Sequence, residues 1–249
     1  MFIKILYTII GFVLLSGLLY FWYNKAYKMV DKKQRRALKE YAMPFIITAV
    51  PGIVIIMLVQ HFIEPLFSNN FSGLTLLILE MIFIPGLTEE AGKMLGTLPA
   101  LKKYKPVYTT DYILLFGASG LGFALTESCL DLWNSSASIV SEITAVIYRG
   151  IYPFHMYMQF IMGIFWALAV NAKSKGKTGQ CRMYYVFSLL IPLLLHALHD
   201  FITSIDELFP SSYVFSIVFL VFEAIIVTVA IYKIIKKISL NQSNQAEVE

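Results

Sequence analysis

Seven long apolar stretches constrain this chain more than any other feature of its sequence. Each has roughly the 20 residues that a helix needs to cross a hydrocarbon core of about 30 Å. They lie near residues 2–23, 44–67, 74–96, 111–132, 143–170, 184–203 and 212–232. With 58% of its 249 residues hydrophobic and 14% charged, the chain has more apolar surface than one soluble core hides from water. We therefore predict an all-α, multi-pass protein of the cell membrane that crosses the lipid bilayer about seven times.

Lysine and arginine lie in alternate connections between these stretches. Basic clusters follow the first, third, fifth and seventh stretches, whereas the connections 68–73, 133–142 and 204–211 contain neither residue type. Cytoplasmic loops are enriched in Lys and Arg, so we predict an N-terminus outside and a cytoplasmic C-terminus. The basic loops account for the net charge of +4 without a nucleic-acid partner. We assign residues 1–238 to one membrane domain and residues 239–249 to a polar cytoplasmic tail.

Ionisable residues are unusually numerous inside the apolar stretches. A charge at the bilayer centre costs at least about 2.5–3.5 kcal/mol, so each such residue marks a candidate functional site. Spread over five stretches, they are expected to converge on one cavity. They are Glu80, Glu89, Glu90, Lys93, Glu127, Asp131, Arg149, His155, His196, His199, Asp200 and Glu223.

The third stretch combines a helix-breaking dipeptide with a charged triplet. Pro85–Gly86 is expected to break the helix, with Thr88 as the N-cap of the resumed helix. Lys93 follows Glu89 by four residues and Glu90 by three, so its ammonium group can reach either carboxylate. Two carboxylates beside a lysine suit general acid–base chemistry. The alternative is a helix cap whose charge the lysine neutralises.

The next three stretches each add candidate polar groups. Glu127 lies in the fourth stretch and His155 in the fifth, where each has the alternative of a polar contact without a catalytic role. In the sixth, His196 and Asp200 are four residues apart and share one helix face, so the carboxylate can fix the imidazole tautomer. His199 is the alternative partner, but we favour His196.

The residues present restrict the chemistry. The sequence has no G-x-S-x-G elbow, no H-E-x-x-H helix and no phosphate-binding loop, which argues against those hydrolase and nucleotide-binding classes. A carboxylate that activates water, with imidazole donors at the oxyanion, remains, as does a Zn²⁺ centre. Carboxylates suit Zn²⁺ poorly without further nitrogen or sulfur donors, so the sequence favours a metal-free site. If Zn²⁺ is bound, the expected ligands are Glu90, His155 and His196.

Four sequence blocks, in this order, resemble the motifs of the PrsW family of intramembrane proteases. They lie within residues 80–203 and are Glu89-Glu90-x-x-Lys93, Phe123-x-x-x-Glu127, His155 and His196-x-x-x-Asp200. The layout is also similar to that of the CAAX prenyl proteases and bacteriocin-processing membrane proteins. Those proteins have Arg, His and Asn where this chain has Lys93, Glu127 and Asp200, and the differences favour PrsW.

The resemblance implies a membrane-embedded peptidase that makes the first, site-1 cut in a single-span anti-sigma factor. It implies that Glu89 activates water with Glu90 in support. It also implies that His196 donates to the oxyanion and that His155 orients water or substrate. The residues in supporting roles would be Lys93, Glu127 and Asp200.

A proton- or cation-coupled transporter is the main alternative function. Carriers also use broken helices and intramembrane carboxylates, although this chain has no inverted repeat. Glu80 and Glu223 belong to no recognisable spacing, and we expect Glu223→Gln to be nearly neutral for cleavage.

Overall fold

The computed structural model describes residues 2–134 and 139–246, and within these residues it contains helices and no strands. The predicted all-α class is therefore confirmed. The α-helices are α1 (Phe2–Met29), α2 (Leu38–Ile47), α3 (Ile53–Ser68), α4 (Gly73–Met81), α5 (Glu90–Tyr104), α6 (Thr109–Asn134), α7 (Ile139–Ile151), α8 (Phe154–Ser174), α9 (Thr178–Leu208) and α10 (Tyr213–Ala246).

Two π-helical segments join neighbouring helices into longer rods. Thr48–Gly52 links α2 to α3, and Ile82–Glu89 links α4 to α5. Each contains a proline, Pro51 or Pro85. Proline has no N–H group and its ring clashes with the preceding turn, and a π-turn accommodates an extra residue at such a place without ending the helix.

The predicted helix break at Pro85–Gly86 is therefore wrong. The helix widens through this dipeptide and continues, with Glu89 itself in the right-handed helical region at φ −75° and ψ −45°. Thr88 is not an N-cap, because its hydroxyl group donates to the carbonyl oxygen of Ile84 within the same helix.

Six helical segments of the described chain are long and apolar enough to cross a membrane. They are Lys4–Met29, Leu38–Ser68, Thr109–Asn134, Thr144–Ser174, Thr178–Asp206 and Pro210–Gln242. The remaining predicted span coincides with α4 and α5, which form a rod of comparable length but carry the charged triplet of the third stretch. The prediction of about seven crossings is thus close, and the chain is a multi-pass membrane protein. Its orientation stays a prediction.

The C-terminal helix extends into the predicted tail. α10 continues to Ala246, and residues 247–249 lie outside the described part. Ser239 accepts a hydrogen bond at its hydroxyl from the backbone N–H of Asp31 (2.9 Å) and, at its carbonyl, one from the Gln34 amide (3.2 Å). The first part of the tail is therefore helical and is held against the connection between α1 and α2.

Helix α6 lies at the centre of the fold and packs along α8. Most of its residues between Thr110 and Ala124 are buried. Gly120 permits a close approach, since a Cβ atom there would lie 2.5 Å from the backbone oxygen of His155. Small residues allow membrane helices to come into backbone contact. This contact brings the start of α8 against α6 next to the candidate site.

Candidate active site

The four predicted catalytic residues come together where the π-helical segment Ile82–Glu89 meets α6, α8 and α9. Glu89 is the last residue of that segment, and Glu90 begins α5. His155 lies in the first turn of α8, and His196 lies in the middle of α9. Glu90 and His196 are almost fully buried, and Glu89 is 7% exposed. The site is thus enclosed within the helix bundle.

A buried ion pair stabilises the centre of the site. Lys93 Nζ lies 2.6 Å from Glu90 Oε1 and 3.6 Å from Glu89 Oε2, as their spacing predicts. Both Lys93 and Glu90 have no exposed side-chain surface. The ammonium group also lies 4.4 Å from the centre of the Phe123 ring, an arrangement that stabilises a cation. Lys93 therefore neutralises Glu90 in particular.

Glu90 also connects helices α8 and α9. The Gln159 amide donates to its Oε2 at 2.7 Å, and His196 Nδ1 lies 2.8 Å from its Oε1. A carboxylate only accepts hydrogen bonds, so Nδ1 is the donor. With both oxygens engaged, Glu90 is placed to position Lys93 and His196. Sequence reasoning assigned no role to Gln159, although it lies one turn after His155.

The second nitrogen of His196 faces two other carboxylates. Nε2 lies 3.2 Å from Asp200 Oδ2, as the i,i+4 spacing predicts, and 3.8 Å from Glu89 Oε2. His199, the alternative partner for this role, instead lies 2.7 Å from Glu223 of α10. Both ring nitrogens of His196 therefore face carboxylate oxygens and are placed to donate.

His155 has a tautomer that its neighbours define. Its Nδ1 lies 3.1 Å from Lys93 Nζ, and its Nε2 lies 2.7 Å from Glu127 Oε2. An ammonium group can only donate, so Nδ1 accepts and Nε2–H donates to Glu127. The planes of the His155 and His196 rings meet at 71°, and their centres are 5.1 Å apart, so the two rings form an edge-to-face contact. Glu127 thus orients His155.

One carboxylate oxygen of Glu89 accepts a hydrogen bond, whereas the other has only the more distant Lys93 and His196 nearby, at 3.6 and 3.8 Å. The Gln60 amide of α3 lies 3.4 Å from its Oε1 and donates to Thr88 Oγ1 at 3.1 Å. Its Oε2 is buried and has no hydrogen-bond partner among the described residues. Buried polar atoms are nearly always hydrogen-bonded, so this position suits a water molecule or an ion. Sequence reasoning missed Gln60, whose signal was a lone amide within an apolar stretch.

Glu89, His155 and His196 form a group that fits a metal ion. One ligand atom from each lies within 4.8 Å of the others. Two histidines and a glutamate are a donor set of catalytic zinc sites, and carboxylates behind both histidines are typical of such sites. The set differs from the predicted one, because Glu90 already binds Lys93. The Lys93 contact with His155 Nδ1 and an ion at that nitrogen exclude each other.

A cavity of about 270 Å³ opens beside the two histidines. On its wall, Arg149 of α7 lies 2.6 Å from Asp131 and donates to the hydroxyl of Ser128 at 3.2 Å. The lining also includes apolar side chains of α1. The site therefore has an adjoining space of a size that holds part of a peptide.

The chain is similar in sequence to known membrane proteases. A family model described as PrsW family intramembrane metalloprotease matches residues 37–229. Protease PrsW from Clostridioides difficile (strain 630) is 30% identical over 179 residues, which cover 71% of this chain and 72% of that protein. No solved structure matches the chain. The matched range includes every site residue described above.

Proposed function

Because the chain belongs to the PrsW family of intramembrane proteases, we propose that it hydrolyses a peptide bond of a single-span membrane protein at Glu89, His155 and His196. The family makes it a membrane-embedded peptidase. The observation that carries the assignment of the site is the buried Oε2 of Glu89, which accepts no hydrogen bond from the described residues and lies beside two histidines. By the resemblance of its motifs, the substrate would be an anti-sigma factor that receives its first cut here.

Glu89 acts on the attacking water in this proposal. A general base must lie within hydrogen-bond reach of the proton that it removes, and Oε2 is the oxygen that no protein donor occupies among the described residues. Gln60 holds the other oxygen and so limits rotation of the carboxylate. Glu90, whose two oxygens are engaged by other side chains, supports the site and does not compete for the water.

The histidines stabilise the charge that develops on the substrate. Donors fixed in a site that excludes water stabilise an oxyanion without having to reorganise. His196 is placed to donate from Nε2, with Glu90 holding Nδ1 and Asp200 beside the donating nitrogen. His155, which Glu127 and Lys93 hold at its two ring nitrogens, lines the cavity and limits where the water or the scissile carbonyl can lie.

Zn²⁺ also fits this centre, as an alternative to the metal-free mechanism, with Glu89, His155 and His196 as the residues that would hold it. Glu89 would then be a ligand and not the base, and His196 would not donate from the nitrogen that holds the ion. When bound, the ion would acidify a water molecule and polarise the scissile carbonyl. The sequence favoured a metal-free site with Glu90 among the alternative ligands. Two observations support the zinc alternative: the two-histidine donor set and the description of the matching family as metalloproteases.

Metal content provides a direct prediction. The zinc mechanism predicts that the purified protein holds one Zn²⁺ per chain and loses activity when a chelator removes it, with recovery on re-addition. His155→Ala should lower zinc content and cleavage together, whereas Glu80→Gln, on α4, should keep both. Full activity in protein stripped of all metal would support the mechanism in which Glu89 acts as the general base without a metal ion.

Cleavage of a defined substrate tests the function itself. A tagged single-span anti-sigma factor, co-expressed with the chain, should yield a shortened fragment that appears only with the wild-type protein. The same protein in sealed vesicles should produce no proton or cation flux. Flux without cleavage would support the transporter alternative.

A further inference from the structure

A histidine on the cavity wall has no part in the mechanism above. His199 lies one turn after His196 on α9, and both line the 270 Å³ cavity together with His155 and Asp200. Its Nδ1 lies 2.7 Å from Glu223 Oε2, which reaches across from α10. The His199 and Glu223 side chains are 11% and 10% exposed. Helices α9 and α10 thus contribute a buried imidazole–carboxylate pair beside the site.

The His199 ring is fixed on several sides. Its plane stacks on Phe154, with centres 4.0 Å apart and 17° between the planes, and Tyr152 lies 6.1 Å away. Because the Glu223 carboxylate accepts, Nδ1 carries a proton. Among the described residues, no hydrogen bond engages Nε2. An imidazole held by a carboxylate at one nitrogen and free at the other is suited to proton transfer.

The same end of the cavity contains unsatisfied polar groups. The hydroxyl groups of Tyr148 and Tyr152 are buried and have no hydrogen-bond partner among the residues that the structure describes. Both tyrosines line the cavity. Since buried polar atoms are nearly always hydrogen-bonded, these two hydroxyl groups lack the donor or acceptor groups that they would normally contact. The backbone of a peptide substrate supplies such groups.

Hydrolysis of a peptide bond requires a second proton transfer. Glu89 takes a proton from water, but an amide nitrogen leaves only after it has gained one. We propose that His199, oriented by Glu223, protonates the leaving amine, and that the cavity holds the leaving-group side of the scissile segment. This inference rests on the proposed peptidase function. It gives Glu223 a positioning role and replaces the expectation that Glu223→Gln is neutral.

The water oxygen bonds to the carbonyl carbon while one of its protons passes to Glu89. His199 gives its Nε2 proton to the nitrogen while its Nδ1–H stays hydrogen-bonded to Glu223, and the C–N bond breaks with its electron pair on nitrogen. The products are a carboxylic acid and an amine. The proton on Glu89 then returns to His199 through water, which restores both groups.

The test compares two leaving groups in one synthetic single-span peptide. The peptide carries the mapped cleavage site once as an amide and once as an ester, because an alcohol leaves with far less need for protonation than an amine. His199→Gln should lower amide cleavage by about 10²–10⁴-fold, the usual contribution of a general acid, and ester cleavage much less. Glu89→Gln should lower both alike, and the control Glu80→Gln should lower neither.

Substitutions of Glu223 test the proposal independently. Glu223→Gln should reduce amide cleavage selectively but less than His199→Gln, and Glu223→Asp should restore part of the loss. The double variant should be no worse than His199→Gln, because the two residues act as one unit. A pair that merely ties α9 to α10 would lower amide and ester cleavage equally, whether one residue or both are substituted.

Each remaining outcome is decisive. Equal loss of amide and ester cleavage, or no loss, in His199→Gln would overturn the role of His199 and leave the peptidase function standing. Failure of the wild type to cleave either peptide would overturn the proposed function and this inference with it. If His199→Gln does not accumulate, the leaving-group dependence of Glu223→Gln decides the same question.

Discussion

Replacing Glu89 by glutamine should lower cleavage of a single-span substrate by about 10²–10⁴-fold, the loss typical of removing a general base. Glutamine keeps the shape of the side chain and can still interact with Gln60, so the protein should insert and accumulate normally. A structural role as a helix cap would give a much smaller effect. The helix runs through this position without a break, so Glu89 has no capping function to lose.

The measurement is the initial cleavage rate at matched membrane levels of each variant. Glu80→Gln serves as the matched control, because it also removes a carboxylate from the same rod, on α4, nine residues earlier. Equal cleavage rates for the wild type and Glu89→Gln would show that another group activates the water. Loss of cleavage in both Glu89→Gln and Glu80→Gln would indicate that the substitutions impair membrane insertion of the rod.

Lys93→Met should destabilise the protein by about 3–5 kcal/mol, the usual result of removing one partner of a buried ion pair. Methionine fills much the same volume but leaves Glu90 buried without its counter-charge. Thermal unfolding in detergent and the amount of protein in the membrane would both report the loss. Lys102→Met, at the exposed end of α5, is the matched control and should change little.

A second substitution separates charge from packing. If the uncompensated carboxylate causes the loss, Lys93→Met combined with Glu90→Gln should recover part of the stability, since it removes the unpaired charge. Equal stability of the wild type and Lys93→Met would mean that the ion pair contributes nothing net. A double variant less stable than Lys93→Met would assign the effect to the hydrogen bonds of Glu90.

Local patterns in the sequence predicted much of this architecture. The apolar stretches gave the helical rods, because a helix must satisfy its own backbone groups in lipid. Spacing within one helix was equally informative: Lys93 reaches both glutamates, and His196 faces Asp200. These contacts depend only on helical periodicity, which single-sequence patterns contain.

These patterns did not predict contacts between residues on different helices. His199 and Glu223 meet across two helices, and no spacing rule connects them. Sequence patterns could not decide, for a related reason, whether Glu89 or Glu90 groups with the two histidines in a possible metal site. Adjacent side chains on a helix differ by roughly 100° in direction, so which of them faces α9 depends on the phase of the rod.

The π-helical segment sets the direction in which the side chains of that rod point. The composition of the sequence does not predict such a segment. Pro85 normally ends or kinks a helix, but here α9 packs closely against the dipeptide. A Cβ atom at Gly86 would lie 3.3 Å from both Ala197 Cβ and the Leu193 carbonyl oxygen. Whether the helix ends or widens is therefore decided by tertiary contacts.

The ion pair between Lys93 and Glu90 has a consequence for how the chain is made. Glu90 finds its other partners 69 and 106 residues later in the sequence, so neither has been synthesised when the α4–α5 rod first reaches the membrane. Lys93, three residues away, is present from the start. The pair thus lowers the charge of the nascent α4–α5 rod before α8 and α9 are available to complete the site.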